Sequence, residues 1–324
     1  EGSSGKAWAG GSSVTLAEAF LVRIGRLRVD RSNGQRKPHK PLLLLMAIGR
    51  WVTRGQREVS FLEVEETLVP LLDVYAPPVA FAHSPELPYW HLQSDGVWEI
   101  PGADSLPVGA KGKPTRQTLR TSVGRIPALY ADALASDPAL AARAVQLLLE
   151  AHFPGSLHED LRAALDLVDV GGALPGPAVD AVAEVRMHRA RDRGFRAEVL
   201  AAYEHKCALS GFQALLGGVP FGLEAAHVHW HSQGGPSTVD NGLALTPTLH
   251  KLFDHGAWTL DDRHRVLVSR QFTGTDAAVR ELRDLHGKPI RAPLDTQPVS
   301  LEFIHWHRDP RLGGVFREPA LSKH

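Results

Sequence analysis

Four polar residues in the second half of the chain are spaced so that they could carry out hydrolysis together. His227 ends a strand-like stretch, and Asn241 follows a loop that contains two adjacent glycines. His250 and Asp254 lie four residues apart on a predicted helix, so their side chains share one face of it. This order favours a catalytic site over a chance distribution of histidines.

Hydrolysis of a phosphodiester bond is the chemistry that these residue types suit. The reaction requires a base that activates water and a divalent cation that neutralises charge on the phosphate and the leaving oxygen. A histidine on a strand can act as the base, and a histidine and a carboxylate one helical turn apart can hold the cation. An asparagine in the connecting loop can bond to the backbone and keep the base in place. We therefore predict a metal-dependent phosphodiester hydrolase.

The motifs around these residues resemble the McrA-like branch of the HNH, or ββα-metal, nucleases. The motifs are Glu-Ala-Ala-His ending at His227, a Gly-Gly pair, Asn-Gly-Leu beginning at Asn241, and His-x-x-Phe-Asp running from His250 to Asp254. The resemblance implies that His227 is the general base, that Asn241 orients the loop and that His250 is a metal ligand. It also implies that Asp254 is a second ligand on the helix and that the cofactor is Mg²⁺ or Mn²⁺.

Two positions depart from the pattern of this family. Ala226 stands where many members place a further metal ligand, and either Glu224 or His229 could supply that ligand instead. Cys207 is the only cysteine, whereas many members carry four cysteines around a structural zinc. We therefore include Glu224 among the predicted ligands and expect no structural zinc.

A second group of residues, in the first half of the chain, is suited to binding an anion. Lys37, His39 and Lys40 come just before a predicted helix. Cations there oppose the helix dipole, but they can bind an anion beside free backbone N–H groups. Residues 87–91 combine apolar side chains with a histidine, and residues 111–116 form a basic loop. These segments predict contact with a phosphate group.

The same segments resemble the sulfur-binding domains that recognise phosphorothioate-modified DNA and are found fused to HNH nucleases. The resemblance covers roughly residues 15–155. Sulfur is larger and less hydrated than the phosphate oxygen it replaces, so an apolar wall can accept it at a low desolvation cost. The resemblance implies that the sulfur wall is formed by Leu87, Pro88, Tyr89 and His91. It also implies that the phosphate or the nearby bases are contacted by His39, Lys40, Lys113 and Arg116. Lys113 and Arg120 compete with Arg116 for the contact made by the basic loop.

The elements that must position these residues are mostly helices, and the predicted fold class is α+β. Periodicity and capping signals predict helices at residues 15–28, 41–51, 61–72 and 137–153, and an arginine-rich helix at about 178–203. Strand-like pieces at 90–93 and 97–100 flank a Ser-Asp-Gly turn. The expected organisation is a disordered leader (1–13), a mostly helical sulfur-binding-type domain with a small sheet (14–165), a linker (166–180), and a ββα-metal (HNH) nuclease domain with a C-terminal extension (181–324).

Composition is consistent with a two-domain globular protein that binds nucleic acid. The chain has 324 residues, of which 43% are hydrophobic and 22% charged. The formal net charge is zero, but basic residues cluster at 23–57, 110–125 and 186–196, which favours a polyanionic partner. The longest apolar run, at 41–48, is too short to cross a membrane. Together with the single cysteine, these features predict a cytoplasmic protein whose partner is double-stranded DNA.

We therefore expect a restriction endonuclease that acts on phosphorothioate-modified DNA. Cleavage of two strands by a core with a single site favours a homodimer. One alternative is an HNH endonuclease that reads methylated or unmodified DNA. Another is a DNA-binding module whose nuclease is weak or inactive because Ala226 removes a ligand.

Overall fold

Residues 15–170 form a mostly helical domain around α2, a helix that is apolar on nearly every side. The computed structural model describes residues 15–29, 37–78, 83–109, 112–170 and 193–318, and the predicted leader lies outside them. Side chains 42–48 of α2 are all buried, because neighbouring helices cover the whole surface of this element. The α-helices are α1 (Leu16–Gly25), α2 (His39–Arg54), α3 (Phe61–Tyr75), α4 (Glu86–His91), α5 (Arg116–Leu119), α6 (Ala128–Ser136), α7 (Pro138–His152) and α8 (His158–Ala164).

The helix boundaries of this domain follow the capping signals in the sequence. Ser60 caps α3: its hydroxyl accepts from the Glu63 N–H at 3.2 Å, and Glu63 accepts from the Ser60 N–H at 2.9 Å. Asp137 caps α7 with one bond, in which its side chain accepts from the Ala139 N–H at 2.9 Å, and Pro138 occupies the first turn. These side chains satisfy backbone N–H groups that have no partner within the helix. The four helices predicted in this domain are confirmed.

The predicted strand at residues 90–93 is wrong. These residues belong to α4 and to a 3₁₀ helix (Leu92–Asp95). Pro85 and Pro88 stand at the start of α4, where their fixed φ angles favour a helical turn. Tyr89 and Leu92, three positions apart, both face the core. The predicted strand at 97–100 is reduced to one bridge, between Glu99 and Arg125.

A two-stranded sheet lies beside these helices. It pairs β1 (Glu58–Ser60) with β2 (Val123–Arg125) in antiparallel register, with Glu58 opposite Arg125. Arg125 forms ion pairs with Glu58 at 2.7 Å and with Glu99 at 2.6 Å. The core also takes in Leu165, Leu167 and Val170, and the rest of the predicted linker lies outside the described residues.

The second half of the described chain is built around a β-hairpin and a helix that packs on it. Strands β5 (Glu224–His227) and β6 (Gly242–Leu245) pair antiparallel, and α10 (Pro247–Asp254) follows directly. This β-β-α unit confirms the predicted α+β fold class. The surrounding elements are α9 (described over 193–202), the hairpins β3 (Ala214–Leu216) with β4 (Val219–Phe221) and β7 (Trp258–Leu260) with β8 (Val266–Val268), α11 (Asp276–Arg283) and α12 (Leu301–Arg308). Cys207 is fully buried here, and its Sγ accepts from the Ser210 N–H at 3.4 Å.

The two halves pack against each other. Trp230, Trp306 and Val315 belong to the buried cluster of the N-terminal domain. Arg317 donates to the carbonyls of Asp73 and Val74 at the end of α3, both at 2.6 Å. Cations are favourable at a helix C-terminus, where the last carbonyls have no helical partner. None of the helices among the described residues has the length and apolar character to span a lipid bilayer.

Candidate nuclease site and DNA-binding surface

His227 is held at the end of β5 by contacts on both sides of its ring. The ring stacks on Phe195 of α9, with centroids 3.8 Å apart and planes 14° apart. Its Nε2 atom lies 3.1 Å from the hydroxyl of Ser237. Gly242, opposite His227 in the hairpin, allows this packing, because a Cβ there would lie 2.4 Å from Val199 and 3.1 Å from Phe195.

The surroundings of His227 keep its ring neutral at neutral pH. Burial, together with the nearby His231 and His250, lowers the pKa of His227 from 6.5 to about 4, against the opposing effect of Asp254. A neutral imidazole can accept a proton, so His227 is in the protonation state that a general base requires.

Asn241 is fully buried and fixes the loop that follows the base. Its Oδ1 accepts from the His229 N–H at 2.8 Å, and its Nδ2 donates to the carbonyls of His229 at 2.9 Å and Pro236 at 2.7 Å. The side chain therefore bonds to both ends of the loop between His229 and Pro236. These hydrogen bonds are the geometry that a loop-orienting asparagine requires.

His250 lies between two carboxylates. Its Nδ1 is 2.8 Å from Glu224 Oε2 on β5, and its Nε2 is 3.1 Å from Asp254 Oδ2 one turn further along α10. Burial disfavours its charge, but the two carboxylates outweigh that effect and raise the pKa of His250 to about 9. Without a metal, His250 is therefore an imidazolium at neutral pH.

Asp254 differs from the open metal ligand that the sequence predicts. Its side chain is 1% exposed and both of its oxygens are engaged. Oδ1 accepts from Trp230 Nε1 at 2.8 Å, and Oδ2 accepts from Ser156 Oγ as well as from His250. Since both of its oxygens accept hydrogen bonds from fixed donors, Asp254 is placed to orient His250, as carboxylates behind metal-binding histidines do.

The donors around His250 fit the protein's share of a divalent-cation site. No group of three or more His, Cys, Asp or Glu side chains is arranged to hold a metal within the described part of the chain. Glu224, whose side chain is 45% exposed, faces His250 Nδ1. Mg²⁺ is commonly bound by one or two carboxylates, with waters and substrate phosphates completing its coordination. Glu224 and His250 are thus the two side chains that could bind the cation.

On the N-terminal domain, the apolar residues predicted for the sulfur wall differ in their access to solvent. Leu87 is 37% exposed and His91 is also exposed, whereas Pro88 is buried. Tyr89 is fully buried between Phe61 and Trp98, with ring centroids at 5.0 and 5.6 Å. The prediction that Tyr89 contacts DNA or sulfur is therefore wrong. Residues 87–91 are helical, and the helix turns the Tyr89 side chain into the core, where it has no access to solvent.

Three of the cations considered for phosphate binding are engaged by buried acids. Lys40 pairs with Asp95 at 2.6 Å. Arg116 and Arg120 both bind Glu65, whose side chain is 11% exposed. Asp95 and Glu65 hold these cations in fixed positions at the surface of the domain.

His91 feels the positive charge of two of the predicted cations. Its pKa is lowered by burial and by the charges of Lys113 and Lys40. His39 packs edge-on against His83, with ring centroids 5.4 Å apart. Leu87 and His91 are thus the exposed members of the predicted wall, and the charges of Lys40 and Lys113 act on His91.

Comparison with family models finds one match in each half of the chain. Residues 17–170 match the ScoMcrA-like DNA sulfur-binding domain, and residues 207–261 match the HNH endonuclease domain. The chain joins a sulfur-binding domain to an HNH nuclease domain. Both resemblances stated from the sequence are confirmed. A comparison with curated proteins found no match.

Solved structures similar to this chain include separate sulfur-binding domains and a whole enzyme. The sulfur-binding domains of ScoMcrA and SprMcrA, each complexed with phosphorothioated DNA, are both 24% identical with a TM-score of 0.41. They cover 47% and 48% of this chain, which spans 98% and 96% of theirs. The type IV phosphorothioation-dependent restriction endonuclease ScoMcrA is 25% identical with a TM-score of 0.37, over 52% of this chain and 33% of that one.

The sequence did not point to three residues that bear on the HNH site. Phe195 stacks on His227, and Trp230 and Ser156 donate to Asp254. Phe195 comes from α9 and Ser156 from the sulfur-binding domain, so neither lies near the motifs that identify the nuclease. Trp230 lies among the motifs, between His229 and His231. A tryptophan there would be expected to pack in the core, so its type alone does not indicate that it donates to Asp254.

Proposed function

We propose that this protein is a restriction endonuclease that recognises phosphorothioate-modified DNA through its sulfur-binding domain and hydrolyses nearby phosphodiester bonds at a metal-dependent HNH site. The observation that carries the proposal is the β-β-α unit, which places His227 on β5 and His250 on α10 with Glu224 and Asp254 on either side of the His250 ring. The similar sulfur-binding domains bound to phosphorothioated DNA support the choice of substrate.

His227 is the general base of the proposed reaction. Because its Nε2 meets the hydroxyl of Ser237, we assign Nδ1 as the atom that accepts a proton from the attacking water. Phe195 keeps the ring at one angle, and Asn241 keeps the following loop closed. A base held in this way loses little freedom when the substrate arrives.

Glu224 and His250 are the proposed ligands of Mg²⁺ or Mn²⁺. When bound, the cation neutralises charge that develops on the phosphate and the leaving oxygen. Asp254 orients His250 through Nε2 and leaves Nδ1 directed at Glu224. His229, the other candidate for the ligand missing at Ala226, stacks on Trp306 with ring centroids 4.2 Å apart, so we prefer Glu224.

The proposed DNA contact combines a wall at the exposed Leu87 and His91 with the cations of this domain. The charges of Lys40 and Lys113 act on His91, and Arg116 and Arg120 supply further positive charge on this domain. His39 stands next to Lys40 at the start of α2. The apolar wall would favour sulfur over a hydrated oxygen, and the cations would bind the remaining phosphate charge.

The decisive experiment compares cleavage of matched duplexes with and without one phosphorothioate, in Mg²⁺ and then in Mn²⁺, by the wild type and by His227→Ala. Cleavage of the modified duplex alone, lost in the variant, is the expected result. Equal cleavage of both duplexes would support nuclease activity but contradict recognition of phosphorothioate. Cleavage of a methylated duplex tests the alternative that the enzyme recognises methylated DNA. Binding of modified DNA without cleavage would favour the DNA-binding module, to which the absence of a ligand at Ala226 points.

We also propose that two copies act together, because each chain carries one HNH site and double-strand cleavage requires two strand cuts. Light scattering on the DNA complex is expected to give the mass of two chains. A complex with one chain that still breaks both strands at once would contradict this arrangement.

A further inference from the structure

Ser156 belongs to the sulfur-binding domain but contacts the nuclease site. It lies in the short 3₁₀ helix Gly155–Leu157 that joins α7 to α8. Its hydroxyl donates to Oδ2 of Asp254, a residue 98 positions further along the chain. The hydrogen bond therefore crosses from one domain to the other and ends on a buried carboxylate.

Asp254 depends on Ser156 for one of its three donors. The other two are Trp230 Nε1, on Oδ1, and His250 Nε2, which shares Oδ2 with Ser156. A buried carboxylate keeps its position only while its oxygens are satisfied. Loss of the hydroxyl would leave Oδ2 with His250 alone and allow the carboxylate to rotate, and the His250 ring would follow it.

Other contacts across the same seam lie on either side of Asp254. Asp160 pairs with Lys251 at 2.9 Å and lies 3.8 Å from His255. Arg317 donates to the His255 carbonyl at 2.8 Å while it binds the end of α3. These contacts hold the domains together next to Asp254, whereas Ser156 reaches the carboxylate itself.

We propose that Ser156 is a positioning residue of the nuclease site, so that the sulfur-binding domain supplies part of the machinery that orients His250. The inference rests on the proposed role of His250 in metal-dependent cleavage. It assigns a second task to a domain otherwise concerned with DNA recognition. The geometry links the two domains through one hydroxyl, one carboxylate and one imidazole.

The test uses the full-length chain and three variants: Ser156→Ala, Ser156→Thr and Asp160→Asn. Ser156→Ala removes the hydroxyl, and Ser156→Thr keeps it. Asp160→Asn is the matched control, since it weakens the same seam without touching Asp254. The first readout is kcat and KM for the modified duplex in Mn²⁺. The second is the ring N–H resonance of His250 in metal-free protein, assigned by its loss in His250→Asn.

Ser156→Ala is expected to lower kcat by about 10-fold, a loss typical of residues behind a metal ligand, with little change in KM. It should also shift the His250 ring signal. Ser156→Thr and Asp160→Asn should keep kcat and the ring signal close to those of the wild type. An unchanged kcat in Ser156→Ala, or an equal loss in Asp160→Asn, would overturn the proposal.

The two readouts separate this inference from the proposed function. If the wild type cleaves no duplex, the proposed function fails, and the ring signal alone decides whether Ser156 positions His250. An identical His250 signal in the wild type and Ser156→Ala would then sink the inference.

Discussion

The charge of His250 makes metal binding depend on pH. Its two carboxylates raise its pKa to about 9, so the metal-free protein holds a proton that a metal ligand must lose. We expect Mn²⁺ binding to release close to one proton near pH 7 and to tighten as the pH rises towards 9. Calorimetry in two buffers with different ionisation enthalpies measures this release, and His250→Asn is the control. Equal heats in both buffers would show that His250 is not a ligand.

The stacking of Phe195 on His227 is a second property of single residues. Phe195→Leu keeps an apolar side chain of similar size but removes the flat surface that fixes the ring. We expect kcat to fall by about 10-fold through loss of orientation, with KM nearly unchanged. Phe272→Leu, the same change at a partly buried phenylalanine packed against the same cluster, is the control for packing. Equal kcat values in the two variants would contradict a role for the stack.

His307 of α12 contacts α10 through a buried ring, and this contact should make the nuclease domain sensitive to acid. Its ring is fully buried and stacks on Phe253 at 3.7 Å, its Nδ1 lies 2.8 Å from Thr259 Oγ1, and its Nε2 lies 3.1 Å from the Phe253 carbonyl. Burial lowers the pKa of His307 from 6.5 to about 4, so the unfolded chain takes up a proton in this range before the folded one does. The contribution of the neutral His307 to the free energy of unfolding is therefore fully present above pH 6.5, and it decreases as the pH falls towards 4.

Acidification from pH 7 to pH 4 is expected to lower the free energy of unfolding by on the order of 3 kcal/mol through His307. Urea unfolding followed by circular dichroism at several pH values between 7 and 4 measures it. His307→Gln should start less stable at pH 7 and lose less on acidification, since the glutamine does not titrate. Parallel losses in both proteins would assign the acid sensitivity to other groups.

Elements whose signals are local in sequence were predictable. The Ser60–Glu63 capping box and the Asp137–Pro138 start of α7 each lie within four residues, and the order of His227, Asn241 and His250 marks the β-β-α unit. The error at residues 90–93 has a local cause as well. A short run of apolar residues can form a strand or a helix, and only packing against the core decides between them.

The partners of charged residues could not be predicted, because they come from distant parts of the chain. Glu65 binds Arg116 and Arg120 from 51 and 55 positions away, and Asp95 binds Lys40 across 55. Sequence identifies these residues as charged but not as paired. The same holds for Ser156, whose link to Asp254 forms only when the two domains meet.

At the scale of the whole molecule, Arg317 holds the end of the described chain against the first domain. It donates to the carbonyls of Asp73, Val74 and His255. Arg317→Met keeps most of the stem but leaves these carbonyls without their charged donor, so we expect a loss of roughly 2 kcal/mol in the free energy of unfolding. Thermal unfolding measures it. Arg311→Met, at an exposed arginine paired with Asp309, should leave the midpoint unchanged.

The buried Cys207 offers a practical route to watching the two domains during binding. As the only cysteine, and one without solvent access, it should leave maleimide dyes to react with thiols introduced elsewhere. Cysteines placed at the exposed positions Glu150 and Glu281, one in each domain, would carry a donor and an acceptor fluorophore on the native background. The energy transfer between them would then report, in real time, whether the sulfur-binding domain and the nuclease domain separate when DNA binds.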